Sequence, residues 1–445
     1  MNLQEKVMRA GVIGAGGAGF PTHVKLDTKA EYLLLNAVEC EPLLRVDQQL
    51  MESYTKEILQ GFEEVRQHVG AEKAIIGIKE KHGTVIDKLK YYIEDLKLTD
   101  KILIHSMKDR YPAGDEQILV YEITGRIVPE GGIPIHVGCV VINSETALNV
   151  YNAWRNIPVT EKYVTVTGDI PTPFTAKVKV GTPLVDVLEH SGIRSFEDYE
   201  IIDGGPMMGN LIRDLTSPVT KKQKGFIILK KDHPLINKKS LSVEQKRRVN
   251  RSACEQCRMC TDLCPRYLIG HGIEPHKIMR GLHFNLESHG NYTSAMLCCQ
   301  CNLCELYACP AGLHPSGANR YFKEKLLSDG QRYSSNKKEY KENKMRAYRL
   351  SPSKRLIQRL GLAKYDGKAP LMKEDFSVPR VTLLTSQHIG APAKPVVSVG
   401  EQVAEGQLVA DLPEKGLSAR IHASINGIVE AVKEDRIVIR GEYND

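Results

Sequence analysis

The chain has 445 residues, of which 42% are hydrophobic, and a formal charge of +7 at pH 7. This length predicts several domains, and so modest a charge without any nucleic-acid-binding motif argues against a nucleic-acid-binding protein. No apolar run reaches the roughly 18 residues of a membrane-spanning helix, and the N-terminus is neither a signal nor an anchor, so we expect a cytoplasmic protein.

A glycine-rich loop follows a short helix that is predicted over residues 3–10. Its glycines are Gly14, Gly16, Gly17 and Gly19. They remove side chains from one turn of backbone, so that successive N–H groups can bind a phosphate. The G-x-G-x-x-G pattern of dinucleotide-binding folds also fits, but that loop follows a strand and opens a long helix. Because Pro21 interrupts the chain soon after the loop, we favour another kind of phosphate site.

Helices and strands are predicted to alternate between residues 44 and 155. The apolar spacing favours a helix over about 46–69, a strand over 74–79, a helix over about 84–96 and a strand over 101–107. Such alternation is typical of an α/β layer with a mostly parallel sheet.

Two segments of this region, GAGGAGFPTHVKL at 14–26 and LLLNAVECEP at 33–42, resemble the flavin-binding subunit of respiratory complex I and the RnfC subunit of ion-pumping electron-transport complexes. In that superfamily these segments hold FMN and present it to NADH. The positions that the resemblance assigns to the FMN phosphate and ribityl chain are Gly14, Gly16, Gly17, Gly19 and Lys25, with Asn36 beside them. It also implies that Glu39 and Glu41 act catalytically near the isoalloxazine and nicotinamide, and that Phe20 faces the NADH adenine.

Two further segments, at 111–126 and 141–150, resemble the remaining flavin-site segments of the superfamily. The matching positions are Gly114, Asp115, Glu116, Asn143, Glu145 and Thr146. A simpler interpretation is that the acidic residues are helix N-terminal caps. Together with the glycine loop, the flavin-site interpretation is favoured.

Residues 160–230 change character, because short β-rich runs such as YVTVTG, AKVKV and GFIIL are separated by turns. The segment GTPLVDVLEHSGI and the glycine-rich turn at 204–209 resemble the SLBB domain, a small ubiquitin-like β-grasp module that follows the flavin domain in the same superfamily. The resemblance implies an interaction or ligand-positioning role, so we expect no catalytic residue here.

Nine of the eleven cysteines fall between residues 252 and 310, in two runs that each end in Cys-Pro. The first run consists of Cys254, Cys257, Cys260 and Cys264. The second consists of Cys298, Cys301, Cys304 and Cys309, with Cys299 left over. Three thiolates at i, i+3 and i+6 can bind three irons of a cubane, and a remote fourth cysteine completes the site. The spacing therefore predicts two [4Fe–4S] clusters.

Two alternatives fit the cysteine pattern less well. A zinc site needs four ligands, whereas each run has a third evenly spaced cysteine and a terminal Cys-Pro. A disulfide framework is disfavoured in a long chain whose cysteines are packed into one segment. In two-cluster ferredoxins the last cysteine of each run binds the other cluster, so one cluster is expected on Cys254, Cys257, Cys260 and Cys309. The other is expected on Cys298, Cys301, Cys304 and Cys264, and an exchange of Cys298 with Cys299 stays open.

The last unit, about 380–442, resembles the lipoyl-like barrel-sandwich hybrid that RnfC carries at its N-terminus. Lipoylated and biotinylated domains have a lysine at the tip of one hairpin. The equivalent hairpin at 422–427 has no lysine, so we do not expect a swinging cofactor.

The chain is therefore expected to be a multidomain α/β and β protein. Its predicted parts are an FMN- and NADH-binding α/β domain at 1–157, an SLBB β-grasp domain at 158–230, a ferredoxin-like helical domain with two [4Fe–4S] clusters at 245–330, a basic linker at 331–379, and a barrel-sandwich hybrid at 380–442. In this order they resemble the PduS-type cobalamin reductases of propanediol-utilising bacterial microcompartments.

This resemblance implies an NADH-dependent oxidoreductase that passes electrons through FMN and two [4Fe–4S] clusters to cobalamin, on behalf of a B12-dependent diol dehydratase. The expected partners are cobalamin or a cobalamin-handling enzyme, together with a microcompartment shell or redox protein, and neither nucleic acid nor a membrane span. The expected location is the cytoplasm, within or attached to a microcompartment. One rival is an RnfC-like subunit that links NADH to ferredoxin in a membrane complex. The other is a non-catalytic electron carrier or docking scaffold.

Overall fold

The computed structural model describes residues 1–284, 290–374, 376 and 378–441. An α/β layer forms its N-terminal part. The helices of this part are α1 (Leu3–Arg9), α2 (Thr22–Lys25), α3 (Val46–Ser53), α4 (Thr55–Val69), α5 (Gly83–Asp95), α6 (Glu116–Thr124) and α7 (Ser144–Trp154). Its strands are β1 (Tyr32–Asn36), β2 (Lys73–Lys79), β3 (Ile102–Met107), β4 (Arg110–Tyr111) and β5 (Cys139–Asn143).

Strands β3, β2, β1 and β5 lie side by side in that order, and every pairing is parallel. Along β1, Leu33 and Leu35 enter one apolar cluster, whereas Leu34 enters a second cluster with the residues of the other face. Burial on both faces is typical of parallel sheets, and the predicted parallel α/β layer is confirmed. Asn36 and Asn143 are paired at the carboxyl ends of β1 and β5, the edge at which α/β sheets bind ligands.

The helix that was expected over residues 46–69 is interrupted at Tyr54. This residue has φ −128° and ψ 34°, so it separates α3 from α4. Its ring contacts that of Tyr163 edge to face, with centroids 6.0 Å apart. Helix α4 ends at Gly70, whose φ of +68° gives a left-handed C-terminal cap.

A mixed sheet and the C-terminal barrel share one core. The sheet contains β6 (Glu161–Gly168), β7 (Phe174–Lys179), β8 (Tyr199–Asp203), β9 (Asn210–Ile212) and β10 (Gly225–Lys230), with helix α8 (Leu184–Glu189). Its order is β7-β6-β10-β8-β9, and only the β6–β10 pairing is parallel among the strands described. Val164 and Phe226 of this sheet pack in one cluster with Val381 and Ile421 of the barrel.

The barrel consists of two small antiparallel sheets. Its strands are β12 (Arg380–Leu384), β13 (Lys394–Pro395), β14 (Gln402–Val403), β15 (Leu408–Asp411), β16 (Ile421–His422), β17 (Gly427–Val432) and β18 (Arg436–Gly441). One sheet has the order β12-β18-β17-β14 and the other β13-β15-β16. The last residue of the predicted barrel, 442, lies outside the described residues.

The cysteine-rich part is helical. It contains α9 (Pro234–Ser240), α10 (Val243–Ala253), α11 (Met259–Asp262), α12 (Pro265–Leu268), α13 (Pro275–Phe284) and α14 (Pro315–Ser328), with a 3-10 segment at Gly290–Leu297 and a π turn at Cys304–Ala308. Tyr292 and Phe322 stack in its core, with ring centroids 4.3 Å apart.

Part of the predicted basic linker is folded. It forms α15 (Arg346–Arg349), β11 (Ser351–Pro352) and α16 (Ser353–Arg359), and β11 pairs with β4 of the N-terminal part. Leu356 is buried in one cluster with Leu43, Met207 and Cys301. This segment therefore joins the α/β layer, the mixed sheet and the cysteine-rich part, because its apolar residues give α16 a buried face. No helix within the described ranges has both the length and the hydropathy needed to cross a membrane.

Candidate functional site

The glycine loop connects α1 to the four-residue α2, and an isolated antiparallel β-bridge between Ile13 and Pro21 joins its two ends. Gly16 and Gly17 are exposed. Gly17 has φ +103°, and a Cβ added there would meet no atom within 4 Å, whereas a Cβ on Gly16 would lie 2.6 Å from Asn143 Oδ1. The loop is thus open at Gly17 and closed against the end of β5. Bare backbone of this kind fits the phosphate of FMN, while a loop between two helices does not match the dinucleotide pattern.

Other predicted flavin-site residues meet at the carboxyl ends of β1 and β5. Asn36 Nδ2 donates a hydrogen bond to the carbonyl of Gly114 at 2.9 Å. The backbone N–H of Ala15 donates to Thr146 Oγ1 at 3.0 Å, which ties the glycine loop to α7. The structure therefore brings Asn36, Gly114, Asn143 and Thr146 together with the loop.

Lys25 and Phe20 stand at the far end of the loop. Lys25 Nζ lies 3.0 Å from Glu116 Oε1 and donates to the carbonyl of Val141 at 3.0 Å. Its charge is thus shared with Glu116, a second predicted flavin-site residue. Phe20 is half-buried, and its carbonyl accepts a hydrogen bond from Gly14 N at 2.8 Å.

Glu145 is engaged in a buried ion pair with Lys162 of β6. Both side chains are 2% exposed, and Tyr163 N donates to the same carboxylate at 3.4 Å. Burial raises the pKa of Glu145 and lowers that of Lys162, while the attraction between the two charges opposes both shifts. In this arrangement the carboxylate connects α7 to the mixed sheet.

Glu39, predicted to be catalytic, is buried and binds the start of α3. Its carboxylate accepts hydrogen bonds from Asp47 N at 2.5 Å and Gln48 N at 3.3 Å, as a helix-capping residue does. Lys224 Nζ lies 3.4 Å from its other oxygen. Burial raises the pKa of Glu39, and the Lys224 charge lowers it in part.

Glu41, the other predicted catalytic carboxylate, binds the glycine-rich turn of the mixed sheet. It accepts hydrogen bonds from Met207 N at 2.9 Å and Met208 N at 3.2 Å, and the Tyr111 hydroxyl lies 3.1 Å from it. A Cβ on Gly205 would lie 2.0 Å from its Oε2, so the approach requires a glycine. Burial raises the pKa of Glu41. All of these contacts are internal to the protein.

The cysteines line two cavities in the sets that the sequence predicted. The first cavity is lined by Cys254, Cys257, Cys260 and Cys309. The second cavity is lined by the predicted Cys264, Cys298, Cys301 and Cys304 and also by Cys299, so the exchange of Cys298 with Cys299 stays open. Cys257 is exposed, whereas Cys264, Cys301 and Cys304 are buried. Burial, helped by the neighbouring thiols, raises the pKa of Cys260 to about 12, so a bound metal has to displace protons.

The two cysteine runs also share one backbone geometry. Gln256 and Arg258, which flank Cys257, have φ values of +59° and +66°. Gln300 and Asn302, which flank Cys301, have φ values of +58° and +56°. Left-handed backbone is uncommon for residues with side chains. Two such pairs at equivalent places, each beside a cavity lined by at least four cysteines, fit one [4Fe–4S] cluster per cavity.

Two hydrogen bonds connect the second cavity to the α/β layer. Arg266, which follows the Cys264-Pro265 pair, places Nη2 at 2.8 Å from Asp115 Oδ2. Asp115 also caps α6, as the simpler interpretation of the acidic residues expects. The Tyr111 hydroxyl donates to the carbonyl of Cys301 at 2.8 Å. A predicted flavin-site segment therefore touches the walls of the second cavity directly.

Three residues of the site, Lys162, Lys224 and Arg266, were not predicted from the sequence. Arg266 had one signal, its place directly after a Cys-Pro pair. Lys162 lies in a strand and is fully buried there, which is an unusual place for a lysine. Lys224 had no local signal, because its carboxylate partners are Glu39 and Asp47, far away in the chain.

Comparison with known protein families identifies three parts of the chain. Residues 7–152 match the Nuo51 FMN-binding domain, residues 253–314 match a 4Fe-4S dicluster domain, and residues 367–444 match the RnfC barrel sandwich hybrid domain. The predicted cofactors, FMN and two [4Fe–4S] clusters, are thereby confirmed. The barrel match begins within the predicted linker.

Curated relatives match the full length of the chain. The cobalamin reductase PduS of Salmonella typhimurium strain LT2 is 45% identical over 442 residues, which is 99% of this chain and 96% of the relative. The PduS protein of Citrobacter freundii is 43% identical with the same coverage. One component of the Na(+)-translocating ferredoxin:NAD(+) oxidoreductase complex of Acetobacterium woodii is 34% identical, over 60% of this chain and 58% of that protein.

Proposed function

The chain belongs to the PduS family of cobalamin reductases, and we propose that it passes electrons from NADH through FMN and two [4Fe–4S] clusters to cobalamin. The family rests on 45% identity over nearly the whole chain. The electron donor, NADH, is inferred from the Nuo51 domain at residues 7–152.

When bound, FMN would supply a group that accepts two electrons as hydride and gives them up singly, and the clusters would supply one-electron carriers. The protein must then hold these groups close together. Gly17 offers open backbone for the FMN phosphate, with Asn36 and Asn143 at the adjoining sheet edge. Glu39 and Glu41 act as positioning residues, because they bind the segment between β1 and α3 to the start of α3 and to the turn at 204–209.

The observation that carries this proposal is the direct connection between the flavin-site segments and the second cavity. Asp115 follows Gly114 of the predicted flavin site and binds Arg266 of the second cavity at 2.8 Å. Tyr111 of the same segment binds the carbonyl of Cys301. These contacts join the wall of the second cavity to the predicted flavin-site segment, so electrons from a bound flavin would enter at the second cavity.

The first cavity serves as the exit. Three residues on its wall or beside it are exposed, namely Cys257, Arg258 and Met259. An electron acceptor can therefore approach this cavity from solvent. Arg258 also offers a positive charge at this surface. Cobalamin, or a protein that carries it, is expected to dock there.

Two finer assignments belong to the same proposal. Residues 158–230 form an SLBB β-grasp domain, supported by their strand order, in which the first and last strands are parallel neighbours at the centre of the sheet. The protein works within or attached to a propanediol-utilisation microcompartment, where a shell or redox protein is a partner. Co-purification with intact microcompartments tests that location.

The reaction is tested with anaerobic protein, NADH and cob(III)alamin, while the corrin absorption is followed. Reduction of the corrin at a rate proportional to the protein supports the proposal. Protein from which the flavin has been removed is the control and should be inactive. A parallel reaction contains ferredoxin in place of cobalamin. Reduction of ferredoxin there, without any corrin change in the first reaction, would favour the RnfC-like rival. The absence of NADH oxidation in both reactions would favour the scaffold.

A further inference from the structure

The second cavity contains polar side-chain atoms that the proposed function does not use. Arg266, Ser316 and Asn319 line it together with the cysteines. Arg266 Nε, Ser316 Oγ and both polar atoms of the Asn319 side chain are buried and have no hydrogen-bond partner among the described residues. Ser316 is 2% exposed and Asn319 is 0% exposed.

Buried polar groups without partners are costly, so folded proteins keep few of them. Three such side chains on the wall of one cavity indicate that the occupant of the cavity accepts hydrogen bonds from their donor atoms, which are Arg266 Nε, Ser316 Oγ and Asn319 Nδ2. Ser316 and Asn319 are three residues apart in the first turns of α14, so they lie on one face of that helix. Arg266 comes from α12, and its other end is held by Asp115.

We propose that Arg266, Ser316 and Asn319 donate hydrogen bonds to the sulfur atoms of the cluster in the second cavity and raise its reduction potential. Cluster and thiolate sulfurs accept hydrogen bonds, and donors stabilise the reduced cluster because it carries one more negative charge. The arginine adds a positive charge to the same effect. This inference rests on the proposed function only in taking the second cavity as a cluster site.

The first cavity is built differently. Its Gln256 Nε2 donates to Cys254 Sγ at 3.3 Å, and its His276 Nδ1 is hydrogen-bonded to Thr261 Oγ1 at 2.7 Å. No side chain on its wall is among the buried polar groups without partners in the described part of the chain. The unpartnered donors are therefore specific to the cluster that faces the flavin site, where a raised potential favours the uptake of electrons.

The test is a redox titration of anaerobic full-length protein with dithionite and mediators, in which EPR follows both clusters. Ser316→Ala and Asn319→Leu remove the donors singly. Ser351→Ala is the matched control, because Ser351 is another buried serine without a partner but does not line the second cavity. Cys257→Ser, which perturbs the first cavity, identifies which EPR signal belongs to which cluster. About eight irons per chain establish that both clusters are present.

We expect the potential of the second-cavity cluster to fall in both donor variants, while the first-cavity cluster and the Ser351→Ala control keep the parent potentials. Coupling of exchangeable protons to that cluster, measured by ENDOR, should also decrease. Unchanged potentials at full iron content, or an equal fall for both clusters, would overturn the proposal. If Asn319→Leu loses iron, its potential cannot be interpreted, and the Ser316→Ala variant alone tests the proposal. That variant removes only one oxygen atom, so it should keep both clusters. The titration uses neither NADH nor cobalamin, so its result is independent of whether cobalamin is the acceptor.

Discussion

Replacing Glu145 by glutamine should destabilise the N-terminal domain by about 3–5 kcal/mol, because it leaves the buried ammonium of Lys162 without its counter-charge. Both side chains are 2% exposed, so water cannot take over the role of the carboxylate. The amide keeps the shape of the side chain, and the loss therefore reports the charge rather than a cavity.

A matched double variant separates the ion pair from other roles of Glu145. Glu145→Leu with Lys162→Met removes both charges and keeps the apolar volume. Such replacements of buried pairs are often neutral or stabilising, so the double variant should regain most of the stability that the single variant loses. It should also keep its FMN, because the structure gives Glu145 a partner in β6.

The assay is urea unfolding followed by the fluorescence of Trp154. This is the only tryptophan of the chain, and it is the last residue of α7, the helix that carries Glu145. The signal thus reports the unfolding of this helix even if other domains unfold separately. A single variant within about 0.5 kcal/mol of the parent, the usual range for an uncritical surface change, would refute the reasoning. Loss of FMN at full stability in the double variant would instead favour a flavin-binding Glu145.

Gly17→Asp should abolish FMN binding while the cluster absorbance persists, because a carboxylate would face the phosphate. Unchanged flavin content would show that the loop is only a turn and does not bind the phosphate. Cys264→Ser should perturb the EPR signal of the second-cavity cluster although Cys264 belongs to the first run, and damage to the other cluster would contradict the crossed assignment. Burial lowers the pKa of Lys221 from 10.5 to about 7, and its Nζ donates to the carbonyls of Gly11 and Arg420 at 2.9 Å. The unfolded chain binds this proton up to a higher pH than the folded one, so stability should rise between about pH 7 and 10.5. Lys221→Met should reduce that slope by up to about 1.4 kcal/mol per pH unit, and an identical slope in both proteins would exclude the effect.

The cysteines show what a sequence can predict about this protein. Cluster ligands must sit at fixed spacings on a tight loop, so the chemistry is visible in the order of the residues. The structure collects the two predicted sets in two separate cavities. The parallel sheet was predictable for a similar reason, since apolar runs of strand length alternate with helical periods.

The carboxylates show where sequence reasoning stops. Glu39, Glu41 and Glu145 stand in segments that resemble a flavin site, yet their described partners include Lys224, the turn at 204–209 and Lys162. These partners lie in another domain, and no local pattern relates a carboxylate to a distant lysine or backbone N–H. Whether such a residue holds a ligand or holds two domains together becomes visible only in the folded chain.

The donors of the second cavity and the folded linker were missed for a related physical reason. Nothing in the sequence distinguishes Ser316 and Asn319 from other helix residues. Their proposed role rests on polar atoms that are buried without a hydrogen-bond partner among the described residues, which is visible only in the folded chain. Leu356 lies in a basic segment whose composition is that of a solvated tether. Its burial depends on apolar surface that three other parts of the chain provide.

Electrons are proposed to enter the protein at the flavin and to leave it through the clusters. Stopped-flow spectra of the parent and of Cys304→Ser, which lacks a predicted cluster ligand in the second cavity, test this order of electron transfer. With NADH, flavin absorbance should bleach in both proteins, whereas the corrin spectrum of cobalamin should change only in the parent. Corrin reduction at the parental rate in Cys304→Ser, with the second-cavity cluster shown by EPR to be absent, would contradict the account.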